Sequence, residues 1–155
     1  FGRGNMKNKK YIILEIIPSA VKNGDIVQLS ALKLNELVLV DRFDYRLLDD
    51  KIDNEYIKNM VCYDKDSFQY KNTTDEIISD FKKWIEDYDL LIIDNLYTRN
   101  YLEEINNKKE SILKYLNLDY SDDVIDKLID KYKLEKSNYI VDLLYEALIF
   151  ESNNK

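Results

Sequence analysis

The chain has no histidine and only one cysteine among its 155 residues. Without histidine, any general base has to be another residue type, and an imidazole metal ligand is excluded. A lone thiol, Cys62, excludes an intramolecular disulfide and a cysteine-based zinc site. Cys62 reads instead as a half-buried free thiol in a reducing cytoplasm. Proline occurs once and glycine three times, and no linker or internal repeat breaks the chain. No apolar run approaches the roughly 18–20 residues that span a bilayer, so no membrane association is expected. Basic charge is also scarce. Lys and Arg number 23 against 30 Asp and Glu, a net charge of −7 with a pI near 4.7. Phosphate binding is driven by Lys and Arg, so this balance argues against passive coating of nucleic acid, while leaving room for a local basic groove. The opening FGRGN before Met6 is neither a signal peptide nor amphipathic and reads as a cloning remnant. A cytoplasmic location is expected.

What is present is a chain 45% hydrophobic and 34% charged, enough for one compact domain with a solvated surface. That domain is expected over residues 11–151, with a tag remnant and disordered start at 1–10 and a disordered tail at 152–155. Tyr11–Ile17 is apolar and rich in β-branched residues, as in a strand buried on both faces, and Pro18 ends it. Lys22-Asn23-Gly24-Asp25 is a turn signal. A second strand follows from Ile26 to Leu34, and Asn35-Glu36 permits a tight hairpin into Leu37–Tyr45. From Asp49 to Tyr70 the pattern weakens to a short helical piece around Glu55–Met60. Thr73 and Glu76 have capping-box spacing, so a helix begins near Asp75. Its Ile77, Ile78, Phe81, Trp84 and Ile85 share one face, which packs onto a sheet. Leu90–Ile93 is a short core strand, Tyr97–Ile105 a helix, and Ile112–Leu118 either a fifth strand or a helical turn. Asp122 caps a helix through Tyr132, and Tyr139–Glu151 is the final helix. The order describes an α/β domain with a mixed sheet: three antiparallel strands, with 11–17 central, then one or two parallel strands, flanked by helices.

Three blocks of this order resemble the motifs of the DEDD-type 3′–5′ exonucleases, in the proofreading-subunit-like branch with a histidine general base, of the RNase H-like fold. The first is Ile13-Leu14-Glu15-Ile16-Ile17-Pro18-Ser19-Ala20 with Ile26-Val27-Gln28-Leu29-Ser30-Ala31. The second is Asp94-Asn95-Leu96-Tyr97-Thr98-Arg99, and the third Ser137-Asn138-Tyr139-Ile140-Val141-Asp142. The resemblance covers nearly all of 11–150 and implies four carboxylates holding magnesium or manganese, with a histidine base. Here Glu15 falls on the first carboxylate position and Ile17 on the second. The next falls on Arg99, or on Thr98 if a residue is deleted. Asp142 falls on the last, and Ser137 stands where the histidine would be.

Two divalent ions about 3.5–4 Å apart need several carboxylate oxygens, and Glu15 and Asp142 supply two residues. They are the candidate metal ligands, with Asp94 a further vestigial catalytic candidate that offers a displaced carboxylate. The plainer alternatives are an ion pair for Glu15, with Arg99 as its partner; a surface acid at a helix start for Asp142; and a turn or cap role for Asp94-Asn95. Tyr139 lies three residues before Asp142, one short of the spacing in the branch whose base is tyrosine, and reads as a core aromatic. The 13 tyrosines are spread along the chain, as core-edge residues rather than a base-stacking face. The resemblance thus implies a catalytically degenerate exonuclease-fold protein that binds a protein partner or a nucleoprotein complex, with no cofactor expected. The alternatives are an active exonuclease on DNA or RNA using magnesium or manganese, and a nucleic-acid-binding module that does not cleave.

Overall fold

The structure, a computed structural model, describes residues 9–18, 26–46, 73–137 and 139–154. Cys62 and the helical piece expected at Glu55–Met60 lie outside the described residues. Three strands open the fold, β1 (Lys10–Pro18), β2 (Ile26–Asn35) and β3 (Val38–Arg46), followed by helix α1 (Thr74–Ile85). Then come β4 (Asp89–Ile92), α2 (Leu96–Tyr101), β5 (Lys109–Ser111), α3 (Ile112–Leu116), α4 (Val124–Tyr132) and α5 (Ile140–Asn153). The sheet order is β3-β2-β1-β4-β5. β1 pairs antiparallel with β2 and parallel with β4, and β4 pairs parallel with β5. This is the expected mixed α/β sheet with β1 at its centre.

β1 is central because both of its faces are apolar. Ile12, Leu14 and Ile16 pack with Ile77, Phe81 and Ile85 of α1. Tyr11 and Ile13 point the other way, into a core built with Val141, Leu144 and Leu148 of α5. Thr73 caps α1 by accepting a hydrogen bond from the Glu76 amide at 3.2 Å, as the capping spacing requires. α1 ends at Ile85, and Glu86 after it takes a positive φ of 51°. The ambiguous stretch at 112–118 is helical over Ile112–Leu116, and the fifth strand lies just before it. Asp122 does not cap α4. Asp123 holds the cap position without a side-chain cap bond, its carboxylate accepting from the Ser121 hydroxyl at 2.7 Å. β1 begins at Lys10, and α5 continues through Asn153 with Ser152 buried.

The β2–β3 hairpin turns on Glu36 and Leu37, with φ of 53° and 67°. Two-residue hairpin loops favour positive φ at both positions, which suits Asn-Gly far better than Glu-Leu. Leu37 is held there by burial of its side chain in the core beside α5 and by the Tyr145 hydroxyl, which donates to its carbonyl at 2.8 Å. Glu36 is exposed and has no such compensation from packing. Glu36→Asn is therefore expected to stabilise the fold by about 0.5 kcal/mol, since Asn tolerates the left-handed region. Leu37→Asn should destabilise, because it loses core burial. Urea midpoints of the two variants check both signs.

Trp84 sits at the rim of the sheet rather than in its core. Its indole N–H donates to the Asp41 carboxylate at 2.8 Å, and the Lys33 ammonium lies 4.5 Å from its ring centroid. The indole hydrogen bond, aided by the Arg42 amide, holds the Asp41 carboxyl below its ordinary 3.8. A folded-state value below the unfolded one gives stability above the unfolded pKa that is lost as pH falls through the folded value. Since the chain has one tryptophan, its emission should titrate below pH 3.8, and Asp41→Asn should remove that step.

Candidate functional site

At the carboxyl ends of the parallel strands β1 and β4, the segments that carry the three resembled motifs meet around a cavity of about 70 Å³. Crevices at this end of parallel strands are the usual ligand sites of α/β sheets. β1 contributes Glu15 and Ile17, the start of α2 contributes Asn95 and Thr98, and α5 contributes Ile140. The loop before α4 closes the remaining side through Tyr120, Ser121 and Asp122.

Glu15 is 7% exposed, in a strand whose other residues from Tyr11 to Pro18 are apolar. Its Oε1 accepts from Gln28 Nε2 at 3.3 Å and from the Ile140 amide at 3.2 Å. Ile140 opens α5, so the carboxylate meets an amide that has no partner within its own helix. These two bonds offset part of the cost of burying the acid and tie β1 to the start of α5. The expected Glu15–Arg99 pair is not formed. Arg99 turns to Asp94, with contacts of 2.6 and 2.8 Å. That bond holds the Asp94 carboxyl below its ordinary value. Asp94 therefore does not reach the cavity as a displaced carboxylate. Of Arg99 and Thr98, Thr98 lines the cavity and is buried, while Arg99 is exposed. Asn95 fixes the turn by accepting from the Thr98 amide at 2.9 Å.

Asp142 does not line the cavity either. It lies in the first turn of α5, where Arg42 of β3 grips it through two contacts, 2.9 and 3.2 Å. Arg42 also binds Asp44 at 2.5 Å and lies over the Tyr139 ring at 4.6 Å. Partial burial weakens the guanidinium charge, but its hydrogen bonds to Asp142 and Asp44 prevail and raise its pKa above the ordinary value. Ser137 is exposed, and its hydroxyl accepts from the Tyr139 amide at 3.2 Å. The sequence reading missed Arg42 altogether. The available signal was the alternation on β3, where Arg42 and Asp44 flank the buried Phe43. Charges repeating at period two mark the face opposite the core contact, and α5 reaches that face through Asp142.

Among the described residues, the resembled positions do not supply the donor set of a two-metal centre. Glu15 and Asp142 face different surroundings, Asp142 is engaged by a cation, and Ile17 and Thr98 offer no carboxylate. Among the described residues, no group of three or more His, Cys, Asp or Glu could hold a metal ion. Nor is any described helix long and apolar enough to cross a membrane.

No protein-family profile matches the sequence, and comparison with curated proteins finds no match. Solved structures do match. One, described as 3′-end specific recognition of histone mRNA stem-loop by a 3′-exonuclease, aligns at a TM-score of 0.67 with 10% identity, over 95% of this chain and 65% of that one. Cell-death related nuclease 4 aligns at 0.63 with 12% identity, over 92% of this chain and 62% of that one. Exonuclease X in complex with 5′ overhanging duplex DNA aligns at 0.60 with 12% identity, over 91% and 89%. This chain thus spans just under two thirds of the first two. At these identities the likeness is one of fold, and the five-stranded mixed sheet flanked by helices is an exonuclease-like fold.

Proposed function

We propose that this chain is a catalytically degenerate relative of the DEDD-type exonucleases that acts by binding a protein partner or a nucleoprotein complex. The observation that carries this reading is the cavity itself. The three motif-bearing segments converge as the fold requires, yet they bring Glu15, Ile17 and Thr98 to it, with Asp142 drawn away by Arg42. Ile17 and Thr98 stand at carboxylate positions, Ser137 at the base position, and none can do the work of the residue it replaces. A net charge of −7 favours a basic partner, such as a protein whose own groove binds nucleic acid. On this reading magnesium or manganese has no resident role.

Two other readings are separable from it. An active exonuclease would have to bring Asp142 and Asp94 away from Arg42 and Arg99 to join Glu15. A non-cleaving nucleic-acid module gains support from structural neighbours described with a histone mRNA stem-loop and with duplex DNA, but its groove would have to work against the acidic average. End-labelled DNA and RNA oligonucleotides with magnesium or manganese test all three. Intact but retarded oligonucleotides favour the module. Cleavage abolished by both Glu15→Ala and Asp142→Ala establishes the exonuclease. Intact and unbound oligonucleotides are the outcome expected here.

A further inference from the structure

We propose that the cavity seats a leucine-sized aliphatic side chain of a protein partner, presented with Lys or Arg on either side of it. This deepens the binding function proposed above and rests on it. Polar groups on the wall are already engaged within the fold. Glu15 accepts from Gln28 and the Ile140 amide, Asn95 accepts from the Thr98 amide, and the Ser121 hydroxyl donates to Asp123. Half-buried Ile93, Ile125 and Ile140 line the cavity between them, with Ile17 and Val124. Against such a wall an apolar group gains by leaving water, whereas a polar one finds those groups occupied.

Size and charge choose the occupant. The volume of about 70 Å³ is less than half the roughly 150 Å³ that admits benzene. A branched aliphatic group therefore fits, while an aromatic side chain or a nucleobase is too broad. Tyr120, which lines the cavity, is 50% exposed, and Leu96, next to Asn95 in the chain, is 78% exposed, so apolar surface continues outward from the cavity. Asp119 and Asp122 lie on either side of Tyr120 in the same loop. Both are exposed, and among the described residues neither is in an ion pair, whereas Asp123 is matched by Lys127 at 3.5 Å. No described Lys or Arg lines the cavity. Basic residues beside the anchor complement this mouth, and the net charge of −7 draws such a segment from further away.

The test is an NMR titration of the whole chain that follows the Ile125 and Ile140 amides. The probe is a capped pentapeptide with leucine at its centre and lysines on both sides. Comparison peptides carry alanine or phenylalanine at the centre, or glutamates in place of the lysines. A saturable shift is expected with the leucine peptide, weakened about tenfold or more with alanine, the loss of one buried aliphatic side chain. The glutamate peptide should give none. Ile125→Phe, which fills the cavity, should weaken binding as the alanine peptide does. Asp119→Lys/Asp122→Lys changes exposed residues alone, should weaken it too, and serves if Ile125→Phe fails to fold. Equal binding of the leucine and alanine peptides, or tighter binding with phenylalanine, would overturn the aliphatic anchor. Equal binding of the glutamate peptide, or unchanged affinity in Asp119→Lys/Asp122→Lys, would overturn the basic partner, and unchanged affinity in Ile125→Phe would overturn the location. Saturable shifts of the same signals with oligothymidylate and none with the peptide would make the occupant a nucleic acid and overturn the proposal. Oligonucleotide cleavage would overturn the function on which it rests, whereas a silent peptide titration beside intact oligonucleotides would overturn the leucine pocket alone.

Discussion

Phe81→Ala lowers the unfolding free energy by about 3–5 kcal/mol, the range for removing a fully buried aromatic ring. Phe81 is 0% exposed, halfway along the buried stripe of α1. Its ring meets Phe43 of β3 edge-on, with centroids 5.4 Å apart, and Trp84 at 6.1 Å. Truncation therefore empties the contact between α1 and the sheet face that carries Ile12 and Leu14. Domains of this size are stable by about 5–15 kcal/mol, so the variant should fold but unfold at much lower denaturant. The informative comparison is Trp84→Ala on the same helix face. Its half-buried ring loses less apolar burial, along with the Asp41 hydrogen bond and the contact with Lys33. Urea unfolding should rank Phe81→Ala well below Trp84→Ala. The reverse order would mean that the rim cluster, not the buried stripe, anchors the helix.

That ranking shows where sequence periodicity stops being informative. The spacing of Ile77, Phe81, Trp84 and Ile85 places all of them on one face, because the helical period is a local property of the chain. It does not say where the sheet ends beneath that face, so Trp84 read as core although it hangs over the edge toward Asp41. β1 was legible for the same local reason: a run from Tyr11 to Ile17 that is apolar at every position but Glu15 lies between two covered faces. β5 was not legible, since Lys109–Ser111 is three residues long, half-buried throughout and without alternation.

The candidate site divides along the same line. Its residue types were visible, because Glu15, Ile17, Thr98 and Ser137 follow from spacing against known motifs. Their partners were not. Arg42 and Asp142 lie 100 residues apart, and no local pattern joins them. The choice between Thr98 and Arg99 also needed the turn at Asn95, which directs one side chain inward and leaves the next beside Asp94. Long-range ion pairs and the direction of a short turn are set by how elements pack, and packing is what a single sequence states least directly.

Those partners are the reason the protein should leave single-stranded DNA and RNA intact with either magnesium or manganese. Lack of a general base alone typically forfeits about 10²–10⁴-fold in rate. On the proposed reading the missing metal ligands remove more, because in a two-metal site one ion activates the attacking water and the other stabilises the leaving oxygen. Arg42→Ala sharpens the test. If Asp142 were merely held in reserve by Arg42, removing the guanidinium would release a carboxylate beside Glu15 and cleavage would appear. Ile17 and Thr98 remain in that variant, however, and neither can complete the ligand set. Arg42→Ala should therefore stay inactive while unfolding more easily, by no more than about 1 kcal/mol, since the ion pair is a third exposed and screened by solvent. Cleavage by Arg42→Ala that is lost again in Arg42→Ala/Glu15→Ala would show that Arg42 restrains a competent site, and the degenerate reading would then have to be abandoned.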